Sequence, residues 1–180
     1  MASPAAFLDR DGVINVDSGY VGCWEDFEYL PDALDGLTLL QKLGFKLVVV
    51  TNQSGIARGY YTEKDFLRLT QTMKEDLSSK GVDLSAVYYC PYLADAVCEA
   101  YRIESVLRKP DPGMLLLAAQ EHDLDLSRSI MVGDKVSDMV AGQRAAVPHR
   151  FHVTSGAAHG GATKAAGLLQ AAEMVRVGLE

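Results

Sequence analysis

Short apolar runs alternate with amphipathic stretches along most of the chain. Residues 5–8 form a small apolar run that ends at Asp9, and residues 45–50 are almost wholly apolar, the pattern of a strand covered on both faces. Leu34, Leu37 and Leu40 recur at helical spacing with Gly44 behind them, which predicts a helix over 32–43. Phe66, Leu69, Met73 and Leu77 mark a longer helix over 62–80, opened by a capping box of Thr62 and Asp65 and stopped by Gly81. Further strands are predicted over 86–90, 129–132 and 150–153, with Pro112 opening a helix over 113–122 and a short helix over 137–145. Residues 154–163, rich in Gly, Ala, Ser and Thr, read as a mobile connection into a closing helix over 164–179.

This alternation predicts an α/β fold, a doubly wound, Rossmann-like parallel sheet with helices on both faces. No repeat or linker interrupts the 180 residues, so one domain over 1–180 is expected. Ligands in such sheets sit beyond the carboxyl ends of the strands. Asp9, Thr51, Lys109 and Asp134 fall at or just after predicted strand ends, or in the loop before the next helix. They are expected to converge on one edge.

Charge and cysteine content narrow the function classes. Seventeen Lys and Arg against 24 Asp and Glu give a net charge of −7, with no dense basic run, which argues against nucleic acid or an anionic membrane as partner. The longest apolar runs are far too short to span a bilayer, and residues 1–6 lack the features of a signal peptide. Cys23, Cys90 and Cys98 are an odd number, which favours a reducing compartment over a disulfide framework. A cytoplasmic monomer acting on a small molecule is the expectation.

Four motifs carry candidate chemistry. In Asp9-Arg10-Asp11-Gly12, the glycine allows a turn that brings two carboxylates together. Thr51-Asn52-Gln53-Ser54-Gly55 offers hydroxyl, amide and backbone donors to a phosphate. Arg108-Lys109-Pro110 places two cations before a helix, and Asp134 with Asp138 places two carboxylates four apart on one face at the start of a helix, one to bind a metal and one to orient it. Each alone has an ordinary reading as a solvated loop, a strand-ending turn, a solvated basic pair or a helix cap.

Together, in this order and spacing, they resemble the haloacid dehalogenase (HAD) superfamily of phosphohydrolases. Within it the chain resembles the heptose-bisphosphate phosphatases and the related histidinol-phosphatases over roughly residues 7–153. The likeness is carried by Phe7-Leu8-Asp9-Arg10-Asp11-Gly12-Val13-Ile14-Asn15, by Thr51-Asn52-Gln53-Ser54-Gly55-Ile56-Ala57-Arg58-Gly59, and by Arg108-Lys109-Pro110 with Pro112-Gly113-Met114. The resemblance implies a HAD-type fold, and the short gap between Asp11 and Thr51 leaves no room for a large cap domain. It also implies that Asp9 is the nucleophile and Asp11 the general acid and base. Mg²⁺ would lie on Asp9, the Asp11 backbone carbonyl and Asp134, with Asp138 orienting the site. Thr51, Asn52 and Lys109 would hold the phosphoryl oxygens. Substrate choice would fall to Asp17, Ser18, Gly19 and Tyr20, to Gln53 and Ser54, to Arg108 and to Lys135, with Arg108 and Arg58 as candidates for a distal phosphate.

The implied reaction is removal of the 7-phosphate of D-glycero-D-manno-heptose 1,7-bisphosphate through an aspartyl-phosphate, in nucleotide-heptose synthesis for lipopolysaccharide. Hydrolysis of histidinol phosphate and non-catalytic binding of a phospho-ligand are the alternatives. One feature departs from the family. Many members carry a zinc loop with Cys-x-His and a later Cys-x-Cys, but here Cys90-Pro91-Tyr92 lacks the histidine and Cys98 stands alone. Two thiolates cannot fill a closed four-ligand shell, so zinc is expected to be absent.

Overall fold

A six-stranded parallel sheet in the order β3-β2-β1-β4-β5-β6 organises the computed structural model, which describes residues 2–179. In chain order the elements are β1 (Ala5–Leu8), α1 (Ala33–Lys42), β2 (Lys46–Asn52), α2 (Ser54–Ala57), α3 (Glu63–Ser79), β3 (Leu84–Cys90), α4 (Gly113–His122), β4 (Ile130–Gly133), α5 (Val136–Arg144), β5 (His149–Val153), β6 (Thr163–Ala165) and α6 (Leu168–Leu179). Between β1 and β2 stand only a loop with a short 3-10 turn and α1, so no separate cap module is inserted there.

The strand pleat sorts side chains to two faces. Ala6, Leu8, Leu47, Val49, Ile130 and Val132 pack with Leu37 and Leu40 of α1, Met73 and Leu77 of α3, and Leu168 and Ala171 of α6. Ala5, Phe7, Val48, Val50 and Met131 pack on the opposite face with Met114, Leu115 and Ala118 of α4 and Met139 and Ala141 of α5. Such two-sided burial explains the unbroken apolar runs of the central strands. The α3 capping box is present, with the Asp65 N–H donating to Thr62 Oγ1 at 3.1 Å and the Thr62 N–H to Asp65 Oδ2 at 2.9 Å.

Three expectations need correction. Residues 163–165 form the edge strand β6 on β5, so the connection after β5 ends in a strand, and the last helix starts at Leu168 instead of 164. The segment Thr163-Lys164-Ala165 is too short for an alternating pattern to announce it. The polar run after Thr51 holds the single-turn helix α2, where a plain turn was expected. Asp134 precedes α5 rather than lying on it, so a turn brings it near Asp138, not a shared helix face.

β1 is where the strand order reverses: the chain first builds outward through β2 and β3, then returns to the other side of β1 with β4. The loops after β1 and β4 therefore meet at a topological switch point, the usual ligand position in open α/β sheets.

Candidate active site

Asp9 follows β1 and Asp134 follows β4, and their carboxylates meet that of Asp138 with the ligand-capable atoms within 4.8 Å of one another. Gly12 permits this approach. It holds φ +83°, and a Cβ there would run into the Asp134 carboxylate. Gly133 likewise leaves no room for a side chain against Asp138.

Lys109 comes from the loop before α4 and is 3% exposed. Its Nζ lies 3.0 Å from Asp9 Oδ1, 2.6 Å from Asp138 Oδ1 and 2.7 Å from the Val50 carbonyl. Burial opposes the Lys109 charge, but Asp138 and Asp9 hold its pKa above the ordinary lysine value. Burial and then Asp138 push the Asp9 carboxyl up, against the pull of Lys109. Asp134 is pushed up to about 7, first by burial and then by Asp9. Lys135 is raised as well: its burial acts against the charge, but Asp134 and a 3.1 Å hydrogen bond to Asp17 favour it.

Asp11 is held by three side chains. Arg10, 1% exposed, grips it through Nη2 at 2.9 and 3.1 Å and through Nε at 3.3 Å. Asn15 Nδ2 donates to Oδ1 at 2.9 Å and Gln53 Nε2 to Oδ2 at 3.1 Å. Gln53 Nε2 also donates to Thr51 Oγ1 at 2.8 Å, and its Oε1 accepts from the Tyr61 hydroxyl at 2.5 Å, which fixes the orientation of the amide. The Tyr61 ring fits between Gly22 and Gly55, where any Cβ would collide with it. Burial raises the Tyr61 phenol to about 12.

These residues surround a cleft of about 610 Å³ lined by Asp11, Asp17, Gly19, Tyr20, Asn52, Gln53, Ser54, Arg108, Lys109 and Lys135 among others. Beneath it a hollow of about 30 Å³ is lined by Asp9, Asp11, Asn52, Lys109, Lys135, Ser137 and Asp138. Tyr20 stands at the cleft with φ +55°, after Gly19 at +87°, and packs on Tyr60 with ring centroids 4.7 Å apart. Arg108 Nη1 donates to the Tyr92 carbonyl at 3.3 Å.

Most of the residues singled out in the sequence converge here, Asn52 among them, while Thr51, Ser18 and Arg58 do not line the cleft. Thr51 is 1% exposed and sits behind Gln53. The Asn52 amide donates to the Lys109 carbonyl at 2.9 Å and accepts the Lys109 N–H at 3.0 Å, so it sets the Lys109 loop. Conversely, Arg10, Asn15 and Tyr61 were not singled out. Arg10 had a signal, since it stands between the two carboxylates of the first motif. Tyr61 had none, because its contact with Gln53 arises only when α2 folds.

A divalent cation fits this donor set. Three clustered carboxyls face one buried ammonium, with Lys135 at the edge of the cluster, so the site is short of positive charge. Asp134 Oδ1 and Asp138 Oδ1 are both buried without a hydrogen-bond partner, but Asp138 Oδ1 is in ionic contact with Lys109 at 2.6 Å and its Oδ2 accepts the Lys135 N–H at 3.0 Å. All donors are hard oxygens, as Mg²⁺ requires.

Comparison with known proteins agrees with this geometry. The HAD-hydrolase-like family model matches residues 106–173. The D-glycero-beta-D-manno-heptose-1,7-bisphosphate 7-phosphatase of Photorhabdus laumondii is 47% identical over 153 residues, 85% of this chain and 81% of that protein. The alpha-anomer enzyme of the same organism is 44% identical over 151 residues, 84% of this chain and 82% of that one. The D,D-heptose 1,7-bisphosphate phosphatase of B. bronchiseptica, solved with magnesium and phosphate, superposes with a TM-score of 0.83 at 28% identity, covering 97% of this chain and 99% of that chain. The chain belongs to the heptose-bisphosphate phosphatase family of HAD-like hydrolases.

Proposed function

We propose that the chain hydrolyses the 7-phosphate of D-glycero-D-manno-heptose 1,7-bisphosphate. The observation that carries this reading is the meeting of Asp9, Lys109, Asp134 and Asp138 at the switch point, beside an open cleft reached by Arg108 and Lys135. Nearly half-identical relatives of that activity support it.

The Asp9 carboxylate is oriented by the Arg10 N–H at 2.9 Å and by Lys109, both on Oδ1. It attacks phosphorus, and the bond to the sugar oxygen breaks with its electron pair. Asp11 gives that oxygen its proton and then takes one from water. The water oxygen attacks the aspartyl-phosphate, releasing inorganic phosphate and restoring the Asp9 carboxylate and the protonated Asp11. Gln53 and Asn15 keep Asp11 at the cleft, and Lys109 favours the ionised Asp9 against burial and Asp138. Asp9, the Asp11 carbonyl and Asp134 would hold Mg²⁺, which supplies charge neutralisation for the transferring phosphoryl group. General acid–base help is worth only ~10²–10⁴ in rate, so positioning and charge stabilisation carry most of the acceleration.

The reading extends to the whole chain as one cytoplasmic, monomeric phosphatase domain. Its three free cysteines favour a reducing compartment, and no helix among the described residues is long and apolar enough to cross a membrane. It also includes a residue 91–105 loop that needs no zinc. Support comes from protein contacts: Glu63 accepts from Tyr89 at 2.5 Å and Tyr101 at 3.0 Å, Arg102 Nε donates to the Ala96 carbonyl at 3.0 Å, and Cys90 is buried.

Phosphate release by the wild type and by Asp9→Asn tests the assignment. The variant should keep the fold by circular dichroism and lose turnover to background. Retained turnover would remove Asp9 from its role.

A further inference from the structure

His152 takes no part in the chemistry above, yet it is 5% exposed and lies against the site. It stands on β5 paired with Gly133, the last residue of β4. Its Nε2 is 3.1 Å from the Asp134 carbonyl oxygen, and its Nδ1 is 3.3 Å from the His159 backbone N–H. A carbonyl only accepts and an amide N–H only donates. The two partners therefore assign the hydrogen to Nε2 and leave Nδ1 bare.

Among the described residues none donates a hydrogen bond to the Asp134 carboxylate, and its Oδ1 is buried without a partner. Its aim thus depends on the backbone of the turn that carries it. That turn is held on one side by the Lys135 N–H donating to Asp138 Oδ2 at 3.0 Å, and on the other by the imidazole.

We infer that His152 is a positioning residue for the cation-binding turn at residues 133–135, and that its second nitrogen ties the connection over 154–162 to that turn. The first half rests on the reading of the acidic cluster as an Mg²⁺ site; the second does not. One ring nitrogen serves each half, so the halves separate by substitution. His152→Leu removes both contacts. His152→Gln keeps an N–H within reach of the Asp134 carbonyl but offers no acceptor in place of Nδ1.

Two measurements on the full chain test this: calorimetric titration with MgCl₂, and backbone amide exchange over 154–162 in the metal-free protein. In His152→Leu the Mg²⁺ dissociation constant should rise roughly tenfold, the scale on which outer partners tune metal ligands. His152→Gln should recover most of that affinity. The His159 amide should exchange faster in both variants. Wild-type Mg²⁺ affinity in a folded His152→Leu overturns the positioning role. If that variant does not fold, a tenfold loss of affinity in His152→Gln overturns it. Unchanged exchange at His159 in either folded variant overturns the tie. Failure of the wild type itself to take up Mg²⁺ would remove the cation site and the positioning role with it, leaving the exchange result to decide the tie.

Discussion

Lys109 Nζ lies 2.6 Å from Asp138 Oδ1 while also touching Asp9 at 3.0 Å, so one buried ammonium joins the loop before α4 to the first turn of α5 and to the end of β1. Removing one partner of a buried ion pair leaves charge without compensation, at a cost of about 3–5 kcal/mol. Lys109→Met should lose stability on that scale in urea unfolding of metal-free protein, and its phosphate release should fall at least a hundredfold. A variant as stable as the wild type would show that Asp9 and Asp138 do not depend on Lys109.

Arg108 lines the cleft, and among the described residues its guanidinium bonds only the Tyr92 carbonyl at 3.3 Å, which leaves it available to a second phosphate. A hydrogen bond to a charged group contributes about 1.5–3 kcal/mol. Arg108→Ala should therefore raise KM for heptose 1,7-bisphosphate roughly tenfold or more, with a much smaller change for heptose 7-phosphate. Equal increases for both would place Arg108 at the reacting phosphate.

Gly55 touches the Tyr61 ring so closely that a methyl group has no space. Overpacking of this kind costs about 1–3 kcal/mol. Gly55→Ala should lower Tm and also kcat, because displacing Tyr61 frees the Gln53 amide that holds Asp11. A lowered Tm with unchanged kcat would separate the wedge from the catalytic carboxylate.

Acid sensitivity has one local source in Asp76, which binds Lys80 and accepts from the Tyr29 hydroxyl at 2.8 Å. The Lys80 hydrogen bond, followed by that of Tyr29, holds the carboxyl below its ordinary value of 3.8. A folded-state pKa below the unfolded one gives stability that is present above about pH 4 and lost as pH falls through the folded pKa. Asp76→Asn should be less stable at pH 7 and should show a flatter stability curve below pH 4 than the wild type.

The layers and the sheet edge were legible because two-sided burial leaves continuous apolar runs and α3 carries its own caps. β1 and α4 lie where the pattern put them. What stayed hidden has a common cause. β6 is three residues long and draws its identity from pairing with β5, and α2 is a single turn set by what surrounds it. Gln53 meets Asp11 across 42 residues of sequence, and His152 meets Asp134 across 18. No local period encodes such contacts, and only the motif spacing pointed to the first.

Phosphate release from both anomers of heptose 1,7-bisphosphate, beside histidinol phosphate and with Mg²⁺ present, tests the central claim most directly when compared as kcat/KM. The account predicts that a heptose bisphosphate is preferred strongly, with the anomer ratio defining the branch it serves. A preference for histidinol phosphate, or activity on none of the three, would contradict it.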